Sequence, residues 1–245
     1  MSARKSARPS LRLAVVTETY PPEVNGVART IGTMVERLGA RGHRIQLVRP
    51  RQGRGDTPPE RPGLDTVLRP SVRIPRYSEL RMGLPAKRAL LREWRLRRPE
   101  VVQIVTEGPL GGSALAAAKK LGIPVVSEFH TNFHSYSRHY GLGLFTNLVA
   151  SYLRRLHSRA DVTLVPTLEL AEQLGAAGYR NLRVVGRGID NAQFGPGERS
   201  DALRRQWGAG PRDVVALYVG RLAPEKNLRL FVEAYQAMCG ADAGV

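Results

Sequence analysis

The chain has 245 residues, 42% of them hydrophobic, with 25 Gly and 17 Pro; that is a globular composition, long enough for one large domain or two small ones. Its 38 Lys+Arg against 21 Asp+Glu give 38 − 21 = +17, an excess that points to an anionic partner: nucleic acid, an acidic membrane surface or a phosphorylated substrate. The single cysteine, Cys239, excludes an internal disulfide and fits a reducing compartment, while the short apolar run at 11–16 is no signal-peptide core and no stretch approaches the roughly 20 apolar residues of a spanning helix.

Residues 11–17 (LRLAVVT) read as a first buried strand, and 18–27 (ETYPPEVNGV) as a loop marked by Pro21-Pro22 and Asn25-Gly26. A helix is expected over 28–41, with Ile31, Met34, Val35 and Leu38 on one face and Gly42 at its end. Residues 44–48 form a second strand. This strand-helix-strand start suits a parallel sheet but lacks the G-x-G-x-x-G dinucleotide signature. Gly26 lets backbone approach a ligand; equally, Asn25-Gly26 is a plain turn before a helix. Residues 50–63 are a polar excursion, and 64–74 hold one or two short strands.

Residues 85–98 (PAKRALLREWRLRR) form a basic amphipathic helix with Leu90, Leu91 and Trp94 on one side. It reads either as a crossover helix packed on the sheet or as a membrane-surface contact, the latter strengthened by Arg69, Arg73, Arg76 and Arg81. Strands follow at 101–105, 124–127, 161–165 and 182–185. Between them lie an Ala-rich helix capped by Gly122, a helix carrying Leu148, Val149, Tyr152, Leu153 and Leu156, and another at 167–177. Strands and helices alternate from 11 to about 190, which predicts a doubly wound α/β sheet.

Ligands of such sheets bind outside the carboxyl ends of the strands. The loops there carry Glu18, Asn25, Gly26, Glu107, His130, Thr167 and Asp190. His130 sits where a buried strand opens into a polar loop. His134 and His139 follow it at a spacing that matches no zinc pattern and read as exposed loop residues. Glu107 is a site candidate or a turn carboxylate. No phosphate-binding G-x-x-x-x-G-K-[ST] loop, nucleophile elbow or D-x-D pair occurs.

The stretch 186–211 is rich in glycine and reads as a boundary. Beyond it, 214–219 has strand composition, 220–227 (GRLAPEKN) is a turn carrying Arg221 and Lys226, and apolar residues then recur at helical spacing. Two cations where a helix begins outline a phosphate site, or are surface cations of an ordinary strand-turn-helix.

Six segments, in this order, resemble the retaining glycosyltransferases of family 4: TETYPPEVNGVART at 17–30, TEGPLG at 106–111, EFHTNFHSYSRHYG at 128–141, VPTLELAEQL at 165–174, GRGIDNAQF at 186–194 and VGRLAPEKNL at 219–228. The set is most similar to GDP-mannose-dependent α-mannosyltransferases acting on membrane lipids, and UDP-sugar-dependent glycolipid and sulfolipid synthases share many of the motifs. The resemblance implies a GT-B fold: an acceptor-side Rossmann-like domain at 1–187, a linker at 188–210, and at 211–245 the first βα unit of a second, nucleotide-sugar-binding domain. By position it implies that Arg221, Lys226 and Gly26 serve the donor diphosphate, that His130 lies beside the transferred sugar, and that Asn25 and Glu107 line the acceptor side.

No metal or other cofactor is expected. The expected partners are GDP-mannose, a lipid or glycolipid acceptor and an anionic membrane surface met by residues 69–98, with no nucleic acid. The expected location is cytoplasmic, peripheral at the inner face of the plasma membrane. The family's second domain continues past the equivalent of residue 245 with a nucleotide pocket and a paired-glutamate motif, so this polypeptide alone is expected to show little or no transfer. A non-catalytic lipid- or nucleic-acid-binding basic domain is the rival reading from a different class.

Overall fold

A computed structural model describes residues 9–58, 60–74, 77–130, 146–220, 222 and 226–241. The described residues fall into two compact units, divided after residue 186 except that Thr146, at the start of the fourth helix, groups with the second.

The first unit holds β1 (Arg12–Val16), α1 (Gly26–Ala40), β2 (Arg44–Pro50), β3 (Leu64–Arg69), β4 (Ser71–Ile74), β5 (Tyr77–Gly83), α2 (Lys87–Leu96), β6 (Val101–Ile104), α3 (Pro109–Leu121), β7 (Val125–Glu128), α4 (Thr146–Ser158), β8 (Val162–Val165), α5 (Leu168–Ala176) and β9 (Leu182–Val184). Seven strands make one parallel sheet in the order β3-β2-β1-β6-β7-β8-β9, and β4 and β5 pair antiparallel beside it in sequence as a separate two-stranded ribbon.

Alternation along β1 divides the core. Ala14 and Val16 join Leu90 and Trp94 of α2 and Leu110, Ala114 and Ala118 of α3, whereas Val15 joins Ile31 and Val35 of α1. Successive strand residues point to opposite faces, so helices cover both sides, as the continuous apolar runs required. A third cluster, Phe129, Leu153, Val165, Leu174 and Tyr179, closes the β7–β9 end.

Local signals explain the element ends. Asn25 caps α1 by accepting from Ala28 N at 2.8 Å, so the helix starts at Gly26, two residues earlier than apolar spacing suggested. Gly122 ends α3 at φ 63°, in the left-handed conformation that glycine adopts without strain. α2 buries Leu90, Leu91 and Trp94 and leaves Lys87, Arg88, Arg92 and Arg95 exposed, so its apolar stripe is a packing face. The loop after β2 is held by Arg49, whose Nη1 and Nη2 each donate to Asp56 at 2.7 Å.

The second unit holds a 3₁₀ turn (Pro196–Glu198), α6 (Asp201–Gln206) capped by Ser200, and α7 (Leu228–Ala241). The expected strand at 214–219 is not formed: these residues pair with no strand among the described residues, and Val214, Leu217 and Val219 are exposed. A parallel strand exists only through its neighbours and its covers. No residue of α7 is buried.

Candidate active site

β1 lies between β2 and β6, so the chain leaves β1 toward one edge of the sheet and later returns to its other side. That reversal makes the carboxyl ends of β1 and β6 a topological switch point, where open sheets leave a crevice. β7 is the next strand along. Gly26, Glu107 and His130 therefore belong to the connections that follow three adjacent parallel strands.

The loop after β1 is knitted to itself. Thr17 Oγ1 donates to Thr19 O at 2.7 Å, and Asn25 Nδ2 donates to Thr19 Oγ1 at 2.7 Å. The Thr19 hydroxyl in turn donates to Glu23. Gln52 Nε2 ties this loop to the end of β2, donating to Tyr20 O at 3.1 Å and Glu23 Oε1 at 2.9 Å. Burial pushes the Glu23 carboxyl up, against the hydrogen bonds from Thr19 and Gln52. The Asn25 side chain is thus a helix cap, and both ends of its amide are in use. Gly26 is the first residue of α1, and no atom lies within 4 Å of where a β-carbon on it would stand. Unpaired N–H groups and the helix dipole at such an open end favour an anion.

Glu18, one of the loop carboxylates, serves α3 rather than the crevice. Its Oε1 accepts from Leu110 N at 3.0 Å, and its other oxygen accepts from Gly83 N. A carboxylate at a helix start complements the dipole. Burial raises its pKa, with the Gly83, Leu110 and Gly111 N–H groups pulling the other way. The glycines of 106–112 follow from this packing. A β-carbon on Gly108 would stand 2.7 Å from Glu18 Cδ, and one on Gly111 would overlap the Thr106 carbonyl oxygen and lie 3.1 Å from Ile104 Cγ2.

Glu107 lies inward. Its Oε1 is 3.3 Å from His157 Nε2, and its backbone carbonyl accepts from Tyr152 Oη at 2.8 Å. His157 is fully buried and its Nδ1 is 3.0 Å from Ser127 Oγ. Sequence reasoning missed His157, which ends the apolar stripe of α4 four residues after Leu153; that spacing was the available signal.

His130 follows β7. Its Nε2 is 2.5 Å from Glu128 Oε2, and both side chains are nearly buried. Residues i and i+2 of an extended chain share a face, which lets Glu128 reach the ring. Gln103 of β6 donates to the other oxygen of Glu128 and touches Met34 Sδ at 3.2 Å. The ring is a held group rather than a loose loop side chain.

Thr167 caps α5 by accepting from Leu170 N at 3.2 Å. Lys226 lies in the second unit, exposed, just before α7, and Asp190 in the same unit accepts from Ala192 N at 3.1 Å. Arg221, His134 and His139 lie outside the described residues. The structure thus gathers Asn25, Gly26, Glu107 and His130 in the first unit, while Lys226 belongs to the second.

Comparison with known proteins bears on this arrangement. The family described as Glycosyltransferase Family 4 matches residues 24–193. The GDP-mannose-dependent alpha-mannosyltransferase of Mycolicibacterium smegmatis is 35% identical over 220 residues, covering 89% of this chain and 58% of that protein. Sulfoquinovosyl transferase SQD2 of Arabidopsis thaliana is 29% identical over 224 residues, covering 89% of this chain and 43% of that protein. The chain therefore spans less than two thirds of the relatives it matches. Among solved structures, sucrose-phosphate synthase from Thermosynechococcus elongatus superposes with a TM-score of 0.66 at 13% identity, covering 92% of this chain and 59% of the other, a likeness of fold.

Proposed function

The chain belongs to glycosyltransferase family 4, with a doubly wound first unit of the GT-B type, and on that premise we propose that it works in hexose transfer with retained configuration: mannose from GDP-mannose to a lipid or glycolipid at an anionic membrane surface. The observation that carries this reading is the row of connections after the adjacent strands β1, β6 and β7, to which Gly26, Glu107 and His130 belong.

In this reading the bond between the sugar's anomeric carbon and the diphosphate breaks while the acceptor oxygen bonds to that carbon on the same face. The acceptor's proton passes to the departing phosphate oxygen, so no protein nucleophile is needed. Negative charge gathers on the leaving diphosphate. The open amides at Gly26 and the cations Arg221 and Lys226 are assigned to that charge, and preset charge of this kind lowers a barrier because it is not reorganised during reaction. His130, held by Glu128, is assigned to the transferred sugar. No metal enters this scheme. The four exposed cations of α2 are assigned to anionic lipid, which goes with a peripheral site at the cytoplasmic face of a membrane. The sulfoquinovosyl transfer named for SQD2 goes with a donor other than GDP-mannose, and a UDP-sugar is kept as the alternative.

The test uses protein expressed from its full reading frame, vesicles containing anionic phospholipid and diacylglycerol, and either GDP-mannose or UDP-glucose, with lipid products read by mass spectrometry. Mannosylated lipid formed from GDP-mannose, and lost in His130→Ala, is the expected result. Product from UDP-glucose alone replaces the donor assignment. Vesicle binding without transfer from either donor overturns the enzyme reading in favour of a lipid-binding domain.

A further inference from the structure

His157 is walled by aromatic rings, its centroid 5.1 Å from that of Phe129 and 6.1 Å from that of Tyr179. Inside this wall runs a closed set of polar contacts. Thr163 Oγ1 donates to His157 O at 3.1 Å. Ser127 Oγ lies 2.9 Å from Thr163 Oγ1 and 3.0 Å from His157 Nδ1. His157 Nε2 lies 3.3 Å from Glu107 Oε1.

The hydrogens can be counted. Each hydroxyl has one. The Thr163 hydrogen goes to the carbonyl. If the Ser127 hydrogen went to Nδ1, the Ser127–Thr163 contact would join two buried oxygens with no proton between them, which costs the desolvation of an unmade bond. Ser127 therefore donates to Thr163, and His157 Nδ1 carries a hydrogen and donates to Ser127. One proton remains for the line between Nε2 and Glu107 Oε1. With none, a lone pair would face a carboxylate; with two, hydrogen would face hydrogen.

We propose that His157 is a positioning residue: anchored by Ser127 and Thr163, it holds Oε1 of Glu107 through this single shared proton and so aims the other carboxyl oxygen at a hydroxyl of the acceptor. This rests on the acceptor-side assignment of Glu107. The two anchors come from β7 and β8 and the ring from α4, so the carboxyl group is fixed by the fold rather than by its own loop. Tyr152 of α4 holds the backbone of the same residue through its carbonyl.

The experiment has two arms. In the 245-residue chain labelled with ¹⁵N-histidine, long-range ¹H–¹⁵N spectra assigned with His157→Gln are expected to show Nδ1 protonated. A neutral ring with its proton on Nδ1 beside an ionised Glu107, which leaves no proton on the line between Nε2 and Oε1, overturns the proposal. In the transfer assay above, His157→Gln is expected to raise the acceptor KM about tenfold, the cost of about one lost hydrogen bond to a charged group, with the donor KM unchanged. Ser127→Ala, which removes the ring's anchor and leaves Glu107 intact, covers the case in which His157→Gln fails to fold and carries the same expectation. A protonated Nδ1 with an unchanged acceptor KM in both variants overturns the positioning role. Wild-type protein that transfers no hexose overturns the proposed function instead, a separate readout from the ring spectrum.

Discussion

His130 Nε2 and Glu128 Oε2 stand 2.5 Å apart at the carboxyl end of β7, with Gln103 of the neighbouring strand holding the second oxygen of Glu128. The pair holds the ring from the side of the protein. Glu128→Gln retains the shape but removes the carboxylate charge that stands beside the ring. The expected outcome is a fall in transfer kcat of about tenfold to a hundredfold, since misplacement near 1 Å carries costs of that order, with little change in melting temperature. Steady-state kinetics beside a thermal melt checks both halves, and an unchanged kcat removes His130 from the reaction or Glu128 from its support.

Glycines in the first turns of α1 and α3 are predicted to behave oppositely. Gly26→Ala places its methyl in open space and reduces the freedom of the unfolded chain, so it is expected to leave stability unchanged or raise it by about 0.5–1 kcal/mol. Gly111→Ala drives its methyl into the Thr106 carbonyl and is expected to destabilise by about 1–3 kcal/mol or more. Urea denaturation of the two variants gives the comparison. Under the proposed function Gly26→Ala should also raise the donor KM.

The Arg49–Asp56 pair is bidentate, and both side chains are nearly buried. Asp56→Asn leaves a buried guanidinium without its counter-charge and is expected to cost about 3 kcal/mol, measurable by chemical denaturation. The Arg49 hydrogen bond holds the Asp56 carboxyl below its ordinary value of 3.8, opposed by partial burial. A depressed carboxylate lends stability that is fully present above the unfolded value and lost as pH falls through the folded one. The wild type should therefore shed this contribution only below about pH 3.8, and Asp56→Asn should show a flatter acid limb.

Lys87, Arg88 and Arg92 face outward from α2 and take no part in its packing. Reversing all three to Glu is expected to leave the fold intact and to weaken flotation with anionic vesicles by at least tenfold, at about 1 kcal/mol per cation near the surface. Binding of the wild type should fall as salt is raised. Flotation unchanged by the triple variant would move the membrane contact elsewhere.

The sheet was legible because its strands are short apolar runs between turn signals, and the parallel order followed from the helices between them. The αL glycine at Gly122 and the packing stripe Leu90, Leu91 and Trp94 were legible for the same local reasons. Contacts between distant residues were not. Glu18 reaches Leu110 across 92 positions and His157 reaches Glu107 across 50; nothing local marks either pair, nor the close approach of Glu18 to Gly108 and of the Thr106 carbonyl to Gly111. The stretch 214–219 has strand composition, but strand formation depends on partners that composition does not encode.

The Asn25 cap has a consequence for ligand binding. Its Oδ1 holds the N–H of Ala28, so α1 already owns an acceptor at its first turn. An anion settling on the amides around Gly26 would supply acceptors of its own and relieve Asn25 Oδ1 of that duty, leaving that oxygen for a sugar hydroxyl while Nδ2 stays on Thr19 Oγ1. A hydroxyl that claimed Oδ1 without an anion present would instead unfasten the first turn. Under the proposed function, occupancy of the two positions would therefore be linked: a donor bound first would tighten the helix end and make Asn25 Oδ1 available, which would favour an ordered sequence of arrival.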